Sequence, residues 1–193
     1  GSCLALAIAF QAVRKRFDVN RNPDHRINFT QGYYTLRGVL VPRPFRYLVY
    51  ATFTFCGLQG VFGAFFVAYL VEGLGMTLAA AGGTFAFAQA ASIAFRIAWG
   101  GMAGAWGARP VLAILGIGMS FIAVACGFMN TAWPHWSVTA IAIAYSATAI
   151  SWHGVVLAEI ANLSKTGETA TNTGGVLAFA TGGQTAYPAL FGI

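Results

Sequence analysis

Arg96 stands in the stretch ASIAFRIAWGG, residues 91–101, with no charge before it back to Gly73 and none after it until Arg109. A guanidinium is a planar, permanently charged fork of donors, and that shape suits paired hydrogen bonds to a carboxylate. Gln89, Ser92 and Arg96 follow one another at spacings of three and four, which puts them on one face of a helix. Phe85 and Trp99 extend the stripe. Its chemistry is recognition rather than bond-making. A second set, Tyr145, Thr148, Trp152 and Glu159, recurs on one broad helical face, with His153 beside it. His153 is positioned either to relay a proton near neutral pH or to hydrogen-bond a neighbouring helix. Glu159 reads as a structural charge, with Arg109 or a basic loop residue as its partner. Thr52, Cys56 and Gln59 form a third polar face, and Thr181, Gln184 and Thr185 a fourth.

None of these groups makes a reaction centre. His153 and Glu159 are six residues apart and point to different faces, so no nucleophile–base pair forms and the chain does not read as an enzyme. Cys3, Cys56 and Cys126 are odd in number and lack CxxC spacing, so neither a disulfide nor a metal site is expected. There is no phosphate-cradling Gly-Lys loop. No cofactor is expected.

The elements that carry these residues follow from composition. Apolar residues make up 58% of the 193-residue chain and charged residues only 8%, with a mean hydropathy of +0.67. A soluble domain carries about 25% charged residues, so the chain reads as an all-α membrane protein with the bilayer as a partner. A spanning helix needs about 20 mostly apolar residues. Spans are expected at 45–71, at 78–103, near 110–130 and near 136–160, with a last helix starting near Asn172. The intervening "NTAWPHW" and "NLSKTGETATN" read as turns. Gly38 and Pro42 interrupt "TLRGVLVPRPFRYL", residues 35–48, which is otherwise patterned to lie in the membrane interface with Leu36, Val39 and Leu40 down and Arg37 and Arg43 up. A disordered polybasic linker is the other reading. Tyr187–Pro188 is expected to mark a bend in the last helix.

Charge orients the spans. Eight of the eleven Lys and Arg lie between Arg14 and Arg46, Arg109 falls in the next-but-one loop, and Lys165 in the loop two beyond that. The loops at 72–77 and 130–135 have no Lys or Arg. Every second loop is basic, which places those loops in the cytoplasm. The net charge of +6 therefore belongs to membrane topology, and no nucleic-acid partner is expected. A lone Arg inside a span costs about 3 kcal/mol on insertion scales and so faces a cavity or a partner. Arg96 lies about 12 Å from the helix end near Gly104. That depth suits pairing with a ligand carboxylate and also suits snorkelling or bracing the helix ends.

Two passages carry a resemblance. The segment RIAWGGMAGAWGARPVL, residues 96–112, resembles the loop motif G-x-L-A-D-R-x-G-R-R-x-x-L of the major facilitator superfamily. Gly100, Ala103, Gly107, Arg109 and Leu112 fall in register, Met102 takes the Leu position, and Gly104, Ala105 and Ala108 replace an acidic and two basic residues. The segment SWHGVVLAEIANL, residues 151–163, with TNTGGVLAFATGGQTAYPALFG after it, is similar to the tenth and eleventh helices of bacterial members. The position of Arg96, four residues before Gly100, resembles that in monocarboxylate-type carriers.

The resemblance implies the C-terminal half of a carrier: residues 1–13 as the end of helix six, 14–44 as the linker between halves, and 45–193 as helices seven to eleven. That is one partial helix plus five spans, with helix twelve and the N-terminal half as the missing partners. It further implies a secondary transporter in a bacterial inner membrane, moving a small solute by alternating access. Under it, Arg96, Gln89, Ser92, Gln59 and Trp152 become candidates for binding an organic anion, and His153 for a proton relay. Gly100, Gly107 and Arg109 become the gating loop. The alternative is an exporter of drugs or uncharged solutes, in which Arg96 is structural.

Overall fold

The structure, a computed structural model, describes residues 10–11 and 29–192. The chain divides into two units, residues 1–31 and 32–193. Of the first, Phe10, Gln11 and residues 29–31 are described, all helical. Apart from residues 10–11, the expected tail of helix six falls outside the described residues, and so do residues 14–28 of the expected linker.

Helix α1 (Phe29–Leu40) is short and two-faced. Val39 is fully buried, Leu36 and Leu40 are half-buried, and Arg37 is exposed. The chain bends at Val41–Pro42, and α2 (Arg43–Ala68) starts with Pro42 as its N-cap and Pro44 in its first turn. Proline suits that position because the missing amide is one the first turn leaves unpaired anyway. The last turn of α2 widens into a π-helical segment, Tyr69–Gly73, from which the Tyr69 hydroxyl donates to Met129 O at 3.1 Å.

Helix α3 (Leu78–Trp106) is capped by the Thr77 hydroxyl, which accepts from the Ala80 amide. It ends at Gly107, and α4 (Ala108–Gly127) begins at the next residue. Gly107 has φ +89° and ψ 155°, a conformation open essentially to glycine alone. A one-residue reversal between two spans needs it. Helix α5 (His135–Ala149) and helix α6 (His153–Leu163) share one span, and α7 (Thr169–Phe191) closes the chain.

Among the described residues, four spans are long and apolar enough to cross a membrane: α2 with its π segment, α3, α4, and α5 with α6. The chain is thus a multi-pass membrane protein. The fifth expected span, α7, is 23 residues long, about 35 Å at 1.5 Å per residue, but its Thr, Gly and Gln content keeps it out of that apolar class. The α5–α6 span is the central one. In its most apolar window 61% of residues are buried inside the protein, against 17% for α4.

One feature corrects the expected layout. The span expected as one helix over 136–160 is broken at Ile150–Trp152. Helix α7 keeps its helical turns through Pro188 to Phe191. The carbonyl that Pro188 leaves without an amide four residues back is that of Gln184. It lies against Gly60 of α2, where a Cβ would sit 2.7 Å from it. Helices α2 and α7 form the most extensive pair in the bundle. Gly60 and Gly183 let them approach until backbone faces backbone, and Gly57 makes room for the Tyr187 ring, as small residues do in membranes.

Candidate functional site

The stripe on α3 divides between two environments. Arg96 is exposed and has no hydrogen-bond or ion-pair partner among the described residues. Gln89 is half-buried. Ser92 is buried, and its hydroxyl donates to Gln89 O at 2.7 Å. Ser92 therefore does not present a free hydroxyl beside Arg96, because a serine inside a helix finds its own preceding carbonyl first. Phe85 and Trp99, expected to extend the stripe, turn into the bundle. Phe85 packs against Phe62 at 5.5 Å between ring centroids, and the Trp99 indole donates to Ala147 O at 2.8 Å.

That Trp99 bond belongs to the break in the α5–α6 span. An interrupted helix exposes carbonyls that lipid cannot satisfy, so protein groups must. Trp99 takes Ala147 O. The Ser151 hydroxyl is within 3.2 Å of both Ser146 O and Ser92 O, a link from the break to α3. His153 Nδ1 lies 3.1 Å from Ile150 O, which makes that nitrogen the donor and leaves Nε2 as the acceptor of a neutral ring. The half-buried His153 ring stacks on Trp152 at 3.9 Å and lies within electrostatic reach of Arg96. The α3 segment that carries Arg96, between Ser92 and Trp99, is thus bonded on either side of it to the break that His153 follows.

Trp152 is not a cavity wall. It is 1% exposed and packs on Phe55 of α2 at 5.8 Å. Its indole nitrogen is buried without a partner among the described residues, and so are Gln59 Oε1 and Ser146 Oγ. They are borne by α2, by α5 and by the break between α5 and α6; nearby, the Tyr145 hydroxyl of α5 donates to Leu58 O of α2 at 3.0 Å. Unpaired polar atoms inside a membrane protein hold unused capacity for a polar ligand or water.

The remaining polar faces are largely satisfied by their own helices. The Thr52 hydroxyl is shared by Leu48 O and Val49 O, and Thr181 and Thr185 bond carbonyls three and four residues back. Cys56 lies 3.8 Å from Gln184 Oε1 across the α2–α7 seam. At the end of the bundle nearest Arg43, Arg109 Nε reaches Glu159 Oε1 at 2.6 Å, with the arginine side chain 69% exposed and the glutamate 8%. Of the loop glycines, Gly107 makes the α3–α4 reversal, while Gly100 lies inside α3 with open space around it. At the opposite end His135 Nε2 is 3.1 Å from the Thr84 hydroxyl. Sequence reasoning missed the roles of Ser151 and Trp99 at the break. Their signal was faint, a serine and an indole among apolar neighbours. No group of three metal-ligating side chains occurs among the described residues.

Among protein families, residues 2–188 match the model described as the Major Facilitator Superfamily. No curated protein and no solved structure matches the chain.

Proposed function

The chain belongs to the major facilitator superfamily of secondary transporters, and from that membership we propose that it forms the C-terminal half of a carrier for a small organic anion, with Arg96 as the group that recognises the charge. The observation that carries the reading is Arg96 itself. It is a cation on a spanning helix with no partner among the described residues, on the α3 segment whose Ser92 and Trp99 bond the break in the α5–α6 span. A guanidinium left unpaired within a span is costly unless an anion or water meets it. A substrate carboxylate supplies that partner in a way that depends on occupancy, which is what a carrier needs.

In this mechanism Arg96 holds the carboxylate, and Gln89 adds a neutral hydrogen bond. His153 Nε2 is the atom that takes or gives a proton, since Nδ1 is committed to Ile150 O. Substrate then sits between this bundle and a second six-helix half, as in carriers that alternate access around a midplane site. Arg109 with Glu159 serves as a gating pair at the basic end. On the positive-inside rule that end faces the cytoplasm of a bacterial inner membrane.

Uptake of labelled carboxylates into proteoliposomes tests the reading. Arg96→Ala is expected to lower uptake about tenfold to a hundredfold, the worth of a charge-assisted hydrogen bond. Arg96→Lys restores part of it, keeping the charge but not the fork. Undiminished carboxylate uptake by Arg96→Ala would sink the anion role. A second reading, export of uncharged amphipathic solutes, draws on the apolar cavity of about 440 Å³ lined by Phe62, Phe65, Phe66, Tyr69 and Tyr145. Under it Arg96→Ala leaves transport intact, and a bulky residue at that aromatic wall abolishes it.

A further inference from the structure

The Arg43 end of the bundle holds a cavity of which the transport reading uses the Arg109–Glu159 pair alone. It measures about 390 Å³ and lies where the first turns of α2 and α4 meet α6. Leu48, Ala51 and Leu112 give it apolar walls, and Arg43, Arg109 and Glu159 give it charge. Arg109 already holds Glu159, whereas Arg43 is exposed and without an ion-pair partner among the described residues. Two guanidiniums against one carboxylate leave one net positive charge at the mouth. Tyr47 lines it and is more than half exposed, as are Tyr33 and Tyr34 on α1 and Tyr50 on α2. Exposed tyrosines at the end of a span mark the level of the lipid headgroups.

We propose that this cavity binds one anionic glycerophospholipid, with its phosphodiester on Arg43 beside the Tyr47 hydroxyl and the upper part of an acyl chain along Leu48, Ala51 and Leu112. Charge complementarity selects the occupant. A lipid with a single negative charge matches the single net positive charge, and a zwitterionic lipid does not. The apolar walls below the arginine add a site for hydrocarbon that a free anion cannot fill. Basic pockets between spans at the membrane surface are a recurrent setting for anionic headgroups. Glu159 takes no part in holding the lipid. It keeps Arg109 turned aside, so Arg43 is the arginine that engages.

The test is native mass spectrometry of the purified protein extracted from bilayers of mixed phosphatidylglycerol and phosphatidylcholine. The protein is expected to retain one phosphatidylglycerol in preference to phosphatidylcholine. Arg43→Ala lowers that retention roughly fivefold, the effect of one basic residue against an anionic surface. Arg43→Lys keeps most of it, and Ala51→Trp, which fills the cavity and leaves both arginines in place, loses it. If Ala51→Trp does not fold, the two Arg43 variants decide alone, since that side chain is exposed and carries no packing. Equal retention of the two lipids overturns the proposal, as does an undiminished Arg43→Ala. Displacement of the bound species by inorganic phosphate assigns the cavity to a soluble anion and overturns it too. Carboxylate uptake by Arg96 variants is a separate readout, so either idea can fail without the other.

Discussion

Arg109 reaches a carboxylate and Arg96 does not, although they are borne on adjoining helices of one reversal. The difference lies in what each arginine faces. Glu159 is 8% exposed and depends on Arg109 for compensation, while Arg109, 69% exposed, keeps contact with water. That mix places the pair between an exposed ion pair and a buried one, so removing Arg109 alone should cost about 1–3 kcal/mol. In thermal unfolding of the purified protein, Arg109→Ala is expected to lower the midpoint. Arg109→Ala combined with Glu159→Gln should lower it by less than the sum of the two single losses. Strictly additive losses would mean the two residues do not interact. The pairing of Glu159 with Arg109 was legible because two isolated charges in an apolar chain seek each other. The state of Ser92 and Trp152 was not. A hydroxyl on a membrane helix can bond its own backbone, and an indole can bury its ring and leave its nitrogen unpaired. Neither choice is written in residue type or spacing.

At the scale of helices, the α2–α7 pair depends on positions where no side chain fits. A Cβ at Gly60 would meet the backbone oxygen of Gln184, and one at Gly183 the backbone of Phe53, whereas Gly63 has open space. Backbone cannot move aside as a flexible side chain can. Gly60→Ala is therefore expected to destabilise by about 1–3 kcal/mol through overpacking, and Gly63→Ala to leave the melting midpoint nearly unchanged, both read by thermal unfolding in the same detergent. Equal behaviour of the two would remove the close-approach argument. Span positions were legible from hydropathy, and the turns from Gly, Pro and Asn. The break at 150–152 was hidden, because Ile150, Ser151 and Trp152 include neither Gly nor Pro. Partners far along the chain meet it: Trp99 donates to Ala147 O, which a continuous ladder would have bonded to an amide, and Ser92 O accepts from the Ser151 hydroxyl.

For the molecule as a whole, the alternation of basic and uncharged loops makes a statement about sidedness. On the proposed topology Arg43 and Lys165 lie at one membrane face, Glu72 and Asn130 at the other. In a cysteine-free background, single cysteines at positions 43 and 165 are expected to react with an impermeant maleimide only in inside-out vesicles. Those at 72 and 130 should react only in intact cells. The reverse pattern would invert the topology, and labelling from both sides at every position would remove the spans. Fold class and span order were readable at this scale because a bilayer imposes one length and one polarity on every crossing. The composition of the binding face was not readable. It depends on how the helices rotate about their axes, which packing decides.

The break in the α5–α6 span also has a mechanical side. Glu159 lies seven residues beyond Trp152, about 10 Å along α6 at 1.5 Å per residue. Were residues 150–152 to act as a pivot, α6 would be its lever arm. A tilt of roughly 15° about the pivot would carry the Glu159 end nearly 3 Å over that 10 Å arm, enough to pull a carboxylate off Arg109. His153 sits at the fulcrum. On the proposed function, an anion bound at Arg96 would act with leverage on the ion pair at the far end.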